Sequence, residues 1–192
     1  MTELLDIEGA LDAATAARLR DEMSAAAGTS AGVLGAKPGE RAESSARRAT
    51  RVEVSGAGRA AVTRLLEELR PRVEARFRRP LDGFEEPQFL RYGPGDYFVA
   101  HQDGNTPLVH DESRFRKVSV VIFLSEQSGE PAPGTFGGGS LVLHGGPGGP
   151  LELAPAPGTL VAYPSETTHE VLPITHGERL TVVSWYRDES GR

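Results

Sequence analysis

Two stretches of this chain limit its architecture more than any others: Lys117 to Leu124 (KVSVVIFL) and Arg179 to Tyr186 (RLTVVSWY). Both are rich in β-branched residues, which crowd a helical turn and pack well on a pleated surface. Neither alternates cleanly between apolar and polar positions. Each side of such a strand must therefore be covered by other parts of the chain. A strand buried on both faces belongs inside a sheet with a layer above and a layer below. With 192 residues, the chain can supply those layers within one domain spanning 1–192.

The covering layers can be traced along the chain. Residues 12–27 carry Ala, Leu and Met at helical spacing behind Asp12, a natural N-cap. A second helix is expected from about Ala60 to Phe77, with Val62, Leu65, Leu66, Leu69, Val73 and Phe77 forming its buried stripe. Pro71 lies inside it and should kink or divide it, because proline removes a backbone donor and clashes one turn back. Residues 28–57 are rich in Gly, Ser, Ala and Arg, show no period, and read as a mobile connection or lid. From Pro87 onward, short apolar runs are separated by Gly and Pro, with strands expected at 87–92, 97–103, 117–124, 139–144, 158–163 and 178–187. The expected class is α+β, mainly β: a double-stranded β-helix, or jelly roll, at 86–187, braced by helical support and a lid segment within 1–80.

Composition narrows the chemistry. The net charge is −6 and no stretch gathers Lys and Arg, so nucleic acid is not an expected partner. The absence of cysteine excludes disulfides, thiolate metal sites and cysteine nucleophiles, and fits a reducing, cytoplasmic setting. The start, Met-Thr-Glu-Leu-Leu-Asp, is acidic without an apolar run, and no segment approaches a membrane span. What chemistry there is must rest on histidine, carboxylates and arginine.

There are five histidines: His101, His110, His144, His169 and His176. His101 and Asp103 stand two apart in a probable strand (FVAHQD), so their side chains leave the same face. One imidazole beside one carboxylate is two-thirds of a 2-His-1-carboxylate site, which holds Fe(II) on one face and leaves positions open. His169 is the best candidate for the third ligand, and His176, in a Thr-His-Gly-Glu turn, is its rival. His144, at a strand end before a glycine-rich turn, reads as exposed, and His110 sits in the loop 104–116 after the metal strand. Arg179 opens the most apolar strand of the chain and there needs an anionic partner, because an unpaired buried charge costs several kcal/mol, of the order of 3–5. A guanidinium suits a carboxylate gripped through two parallel bonds. A 2-oxo dicarboxylic acid that meets the metal at one end and Arg179 at the other would account for both features.

At this point the chain resembles a known family. Phe89 to Tyr186 is similar to the catalytic domain of prolyl 4-hydroxylase-like, Fe(II)- and 2-oxoglutarate-dependent oxygenases. The family's motifs recur in order as Tyr92-Gly93-Pro94-Gly95, His101 and Asp103, Phe123-Leu124-Ser125, the Gly138-Gly139 pair, then His169, Pro173, Gly177, Arg179 and Trp185. The resemblance implies His101, Asp103 and His169 as iron ligands. It also implies Arg179 and Tyr92 as donors to the distal carboxylate of 2-oxoglutarate, with Leu141, Val183 and Trp185 lining the cosubstrate pocket. Dioxygen and 2-oxoglutarate are the implied co-reactants, and ascorbate an auxiliary reductant. The implied reaction is hydroxylation of an unactivated C–H bond in a protein, peptide or small amino-acid-like substrate. Three positions depart from the pattern: Phe123 lacks a hydroxyl found in some relatives, Val183 replaces a frequent Thr, and Phe98 replaces a second Tyr on the substrate side. Retention of Asp103 favours hydroxylation over halogenation.

Two other readings use the same residues. A zinc hydrolase could activate water on the His-Asp-His set, although no Glu occupies an obvious general-base position. A non-catalytic jelly-roll module could bind 2-oxoglutarate without turnover. The sequence does not fix the oligomeric state.

Overall fold

The computed structural model describes residues 3–31, 46–104 and 112–189. His110 and most of the loop 104–116, like the middle of the 28–57 segment, lie outside the described residues. In chain order the elements are β1 (Leu5–Ile7), α1 (Ala13–Ala25), β2 (Gly28–Ser30), β3 (Arg47–Arg48), β4 (Thr50–Val52), α2 (Gly56–Phe77), β5 (Gly83–Phe84), β6 (Gln88–Tyr92), β7 (Tyr97–His101), a 3-10 turn (Glu112–Phe115), β8 (Arg116–Phe123), β9 (Glu126–Gln127), β10 (Thr135–Gly138), β11 (Leu141–Leu143), β12 (Leu151–Leu153), β13 (Leu160–Pro164), β14 (His169–Val171), β15 (Ile174–Gly177) and β16 (Arg179–Arg187).

The large sheet runs β1-β13-β8-β16-β6-β4-β2, with β5 also paired to β16. Opposite it lie a five-stranded sheet, β12-β11-β14-β7-β3, and a three-stranded one, β15-β10-β9. The two apolar runs of the sequence are β8 and β16, antiparallel neighbours that pair Val182 with Ile122 and Trp185 with Ser119. Alternation along these strands sorts their side chains. Val118, Val120, Ile122, Leu180, Val182 and Tyr186 pack against Leu19, Met23, Val62, Leu66, Val73 and Phe77 of the helices. The opposite face sends Val121, Phe123, Val161 and Tyr163 against Leu141 and Leu143 of the smaller sheet. Each strand is covered on both faces, as the sequence requires. The result is mainly β, a β-sandwich with two helices on its outer face.

The helices are closed at their ends by side chains from elsewhere. Asp12 accepts from Thr15 N (2.9 Å) at the start of α1, as read from the sequence. No basic residue lies in the last turn of α1. Its terminal carbonyls at Met23, Ser24 and Ala26 instead accept from the Arg91 guanidinium of β6 at 3.0–3.1 Å. Ser55 caps α2, which begins at Gly56 and not near Ala60 (Gly58 N to Ser55 Oγ, 3.1 Å). Glu22 of α1 accepts from both the backbone N–H and the hydroxyl of Ser55, tying the two helices together.

Two expectations are corrected. Pro71 does not divide the second helix, which runs unbroken from Gly56 to Phe77. Burial of Val62 and Leu66 before the proline, and of Val73 and Phe77 after it, holds both halves on the sheet and outweighs the lost hydrogen bond. The described ends of the 28–57 segment, read as a connection without regular structure, are strands: β2 and β4 extend the large sheet beyond β6, and β3 adds an edge to β7. These three strands have two or three residues each and owe their form to backbone pairing with distant partners, which leaves no local period to read.

The Tyr186 hydroxyl donates to the Leu66 carbonyl at 2.6 Å in the buried helix–sheet interface. Tyr186→Phe is expected to cost about 1 kcal/mol at neutral pH, measured by denaturant unfolding. Burial also pushes this phenol above its unfolded value near 10. At alkaline pH the folded state then holds a proton that the unfolded state has lost, so this contribution is complete below about pH 10 and declines as pH rises above it. The variant should show a shallower loss of stability on the alkaline side.

Candidate metal centre

Three side chains from two parts of the chain meet at the open end of the sandwich interior. β14 pairs with β7 and places His169 directly opposite His101. One nitrogen of His101, one of His169 and one carboxylate oxygen of Asp103 all lie within 4.8 Å of one another. His101 Nε2 stands 3.5 Å from Asp103 Oδ1, and His169 Nε2 stands 3.5 Å from Asp103 Oδ2. The structure therefore brings together the three residues singled out in the sequence. Asp103 is not in the strand, which ends at His101. Its carboxylate reaches the histidines from the turn just beyond.

The tautomers are set by the backbone. His101 Nδ1 lies 2.8 Å from the Val99 carbonyl, and His169 Nδ1 lies 2.9 Å from the Thr167 carbonyl. A carbonyl can only accept, so each Nδ1 carries a proton, and each Nε2 is the atom turned toward the cluster. Burial opposes ionisation of Asp103, but His169, His101 and the Ser119 hydroxyl together hold its carboxyl well below the usual carboxylate range. Burial lowers the His169 pKa and keeps that ring neutral. Two imidazoles and one carboxylate on one side of a point are the donor set of a facial triad, which leaves the remaining octahedral positions open. These residues fit a ferrous ion.

Asp103 is gripped at every polar atom but one. The Ser119 hydroxyl donates to Oδ2 at 2.6 Å, and Ser165 O accepts from the Asp103 N–H at 3.0 Å. Arg116 donates to the Asp103 carbonyl at 3.2 Å. Arg116 is itself clamped by both oxygens of Glu85 at 2.7 Å and lies 3.8 Å over the Trp185 ring. Gln102, between the two ligand candidates, turns the other way and donates to the Glu166 carbonyl at 2.7 Å, bracing the turn that leads to His169. Sequence reading passed over Ser119, Ser165, Arg116, Glu85 and Gln102. One signal was present: Ser119 breaks the otherwise apolar run KVSVVIFL, and a polar group in a doubly buried strand needs a partner.

Arg179 is buried at 2% exposure, with its guanidinium near the rings of Tyr92 (5.4 Å) and Phe123 (5.2 Å). Its one side-chain bond is to Thr181 Oγ1 at 3.3 Å, and its Nε has no partner. No acid pairs with it among the described residues, and burial lowers its pKa. A structural ion pair is thereby excluded within those residues, and an anion-binding role accounts for the orphaned donors. Tyr92 is also buried, with its hydroxyl 3.5 Å from an Arg47 nitrogen. Leu141 and Val183 belong to the interior cluster beside Phe123.

Of the other described histidines, His144 and His176 are not part of the cluster. His144 is half-buried, not exposed, because its Nε2 pairs with Glu170 Oε1 at 2.9 Å. His176 lies in β15, not in a solvated turn, with its Nε2 shut off from solvent by the facing β10.

The family model of the 2OG-Fe(II) oxygenase superfamily matches residues 87–187. A PKHD-type hydroxylase of Sphingopyxis alaskensis is 36% identical over 99 residues, which are 52% of this chain and 42% of that protein. The chain spans less than half the length of the curated relatives it matches. A Pseudomonas putida prolyl-4-hydroxylase structure superposes with a TM-score of 0.74 at 23% identity, covering 98% of this chain and 94% of that one. A Trichoplax adhaerens prolyl hydroxylase, solved with a hypoxia inducible factor peptide fragment, gives 0.72 at 17% identity, covering 100% of this chain and 86% of the other. At such identities the two structures speak for the fold alone. The family match runs over more than half of the chain and takes in His101, Asp103, His169 and Arg179, and on that ground the chain belongs to the 2OG-Fe(II) oxygenase superfamily.

Proposed function

We propose that the chain is an Fe(II)- and 2-oxoglutarate-dependent dioxygenase that hydroxylates an unactivated C–H bond, releasing succinate and CO2. The substrate class is a prolyl residue of a protein or peptide, or an amino-acid-like small molecule. The observation that carries this reading is Arg179, a buried guanidinium without an acid partner, facing the interior that also holds the His-Asp-His cluster. We read the sandwich as a double-stranded β-helix with 86–187 as catalytic core and 1–80 as its support, one domain over 1–192.

In this reading His101, Asp103 and His169 hold the iron, and Arg179 with Tyr92 receives the distal carboxylate of 2-oxoglutarate. Leu141, Val183 and Trp185 form walls of the cosubstrate site, Trp185 being fixed by the Arg116 guanidinium that covers it. Bound iron and 2-oxo acid supply the oxidising power for C–H cleavage with dioxygen, and ascorbate keeps the metal ferrous. The protein contributes position and dryness. The Val99 and Thr167 carbonyls fix which imidazole nitrogens face the metal. Ser119 and Arg116 fix the carboxylate. Phe98, stacked on His101 at 3.5 Å and covered by Arg47 at 4.8 Å, shapes the mouth where substrate would enter. That a neighbouring fold binds a peptide supports a peptide or prolyl substrate here.

The test is succinate formation from 2-oxoglutarate across a panel of amino acids, peptides and cell extract. Turnover should require both Fe(II) and oxygen and be abolished in His101→Ala. Activity with zinc in the absence of oxygen would instead mark a hydrolase, and tight 2-oxoglutarate binding without succinate a binding module.

Replacing Arg179 by methionine separates its two consequences. A hydrophobic residue of similar volume removes a buried, unpaired charge, so the ligand-free melting temperature should hold or rise. The rise in melting temperature that 2-oxoglutarate gives the native protein should vanish in the variant.

Ser119→Ala removes the donor to Asp103 Oδ2 without touching a ligand. Affinity for Mn(II), measured by calorimetry, should fall by about 10–100-fold while the circular dichroism spectrum stays unchanged.

A further inference from the structure

Tyr163 is an aromatic side chain of β13 that sequence reading did not connect with the site. It is 1% exposed, yet its hydroxyl forms no hydrogen bond among the described residues. Most tyrosines buried to this degree place the hydroxyl on a protein acceptor, whereas this one is left open to the small space in front of it. Tyr186, with its hydroxyl on the Leu66 carbonyl, behaves in that ordinary way. Tyr163 does not.

Its position explains the difference. The ring meets that of His169 edge-on at 4.9 Å between centroids, and the residue pairs across the sheet with Ser119, which holds Asp103. It packs in the cluster of Phe123, Leu141 and Val183, on the interior face that also carries Arg179. The residue thus lies beside the cluster through His169 and Ser119 and on the same interior wall as Phe123, which lies under the Arg179 guanidinium. Phe123, beneath the Arg179 guanidinium, has no hydroxyl to offer there.

We propose that the Tyr163 hydroxyl donates a hydrogen bond to a carboxylate oxygen of bound 2-oxoglutarate, an assignment that rests on the function proposed above. An oxygen from that ligand would satisfy the phenol, just as its distal carboxylate would satisfy Arg179. Tyr163 is then a cosubstrate-binding residue on β13, one strand away from the position where Phe123 lacks the group.

The test uses the whole chain loaded with Mn(II) and kept free of oxygen, titrated with 2-oxoglutarate by calorimetry. Tyr163→Phe keeps the ring and deletes only the donor. The dissociation constant for 2-oxoglutarate should rise about tenfold, as expected for loss of a bond to a charged acceptor. Affinity for Mn(II) alone should not change, which also shows that the variant is folded with its cluster intact. Unchanged 2-oxoglutarate affinity would overturn the assignment. So would a parallel loss of Mn(II) affinity, because Tyr163 would then be acting through His169 packing alone. A native chain that binds no 2-oxoglutarate at all would bring down the proposed function and this inference with it.

Discussion

The pairing of β8 with β16 is the constraint on which the other features depend. Both strands are covered on both faces, and alternation gives each face a different task. Leu180, Val182 and Tyr186 point into the helix layer, where they and the even-numbered residues of β8 form the main core. Arg179, Thr181, Val183 and Trp185 alternate with them and therefore face the sandwich interior, as do Ser119, Val121 and Phe123 of β8. A slip of one residue in this pairing would send every interior group to the helices and every core group to the site. Stability and site geometry are in this way fixed by a single register.

Several buried polar groups on that interior face converge on Asp103. Ser119, Ser165 and Arg116 each make one bond to it, and Glu85 and Trp185 hold Arg116 in turn. Such a network is worth its desolvation only when every member is satisfied. Two groups on that face lack a protein partner among the described residues, the Arg179 Nε and the hydroxyl of the nearly buried Tyr163. Both face the same interior, and both would be satisfied by the same dicarboxylate. This agreement between a cation and a neutral donor on different strands says more about a ligand than either would alone.

The strands that carry His101 and His169 are short, and backbone conformation helps to place them. Gly138 and Gly139 both have positive φ, at 65° and 66°, a region closed to most side chains. A Cβ at Gly138 would collide with the Pro173 carbonyl, and one at Gly139 with Ile174. The pair lets β10 turn sharply into β11 beside the 172–174 connection, so that β11 can take its place against β14. The glycines recognised by resemblance thus have a steric reason to be glycine.

Much of this was legible in the chain itself. β-Branched runs mark β8 and β16, helical spacing and caps mark α1 and α2, and the order of His101, Asp103, His169 and Arg179 marks the chemistry. Those signals are local, or follow the order of the chain, because they come from side-chain size, polarity and period. What only the tertiary structure decided was non-local. Strands β2, β3 and β4 form by pairing with distant edges, Pro71 is tolerated because both halves of its helix are buried, and Tyr163 meets His169 through a sheet that the linear order does not display. The chain's own order named the groups able to hold a metal and an acid. Their distances, the protons on their Nδ1 atoms and the lack of an acid partner for Arg179 among the described residues were settled by packing, because desolvation acts on a side chain only once its neighbours are in place.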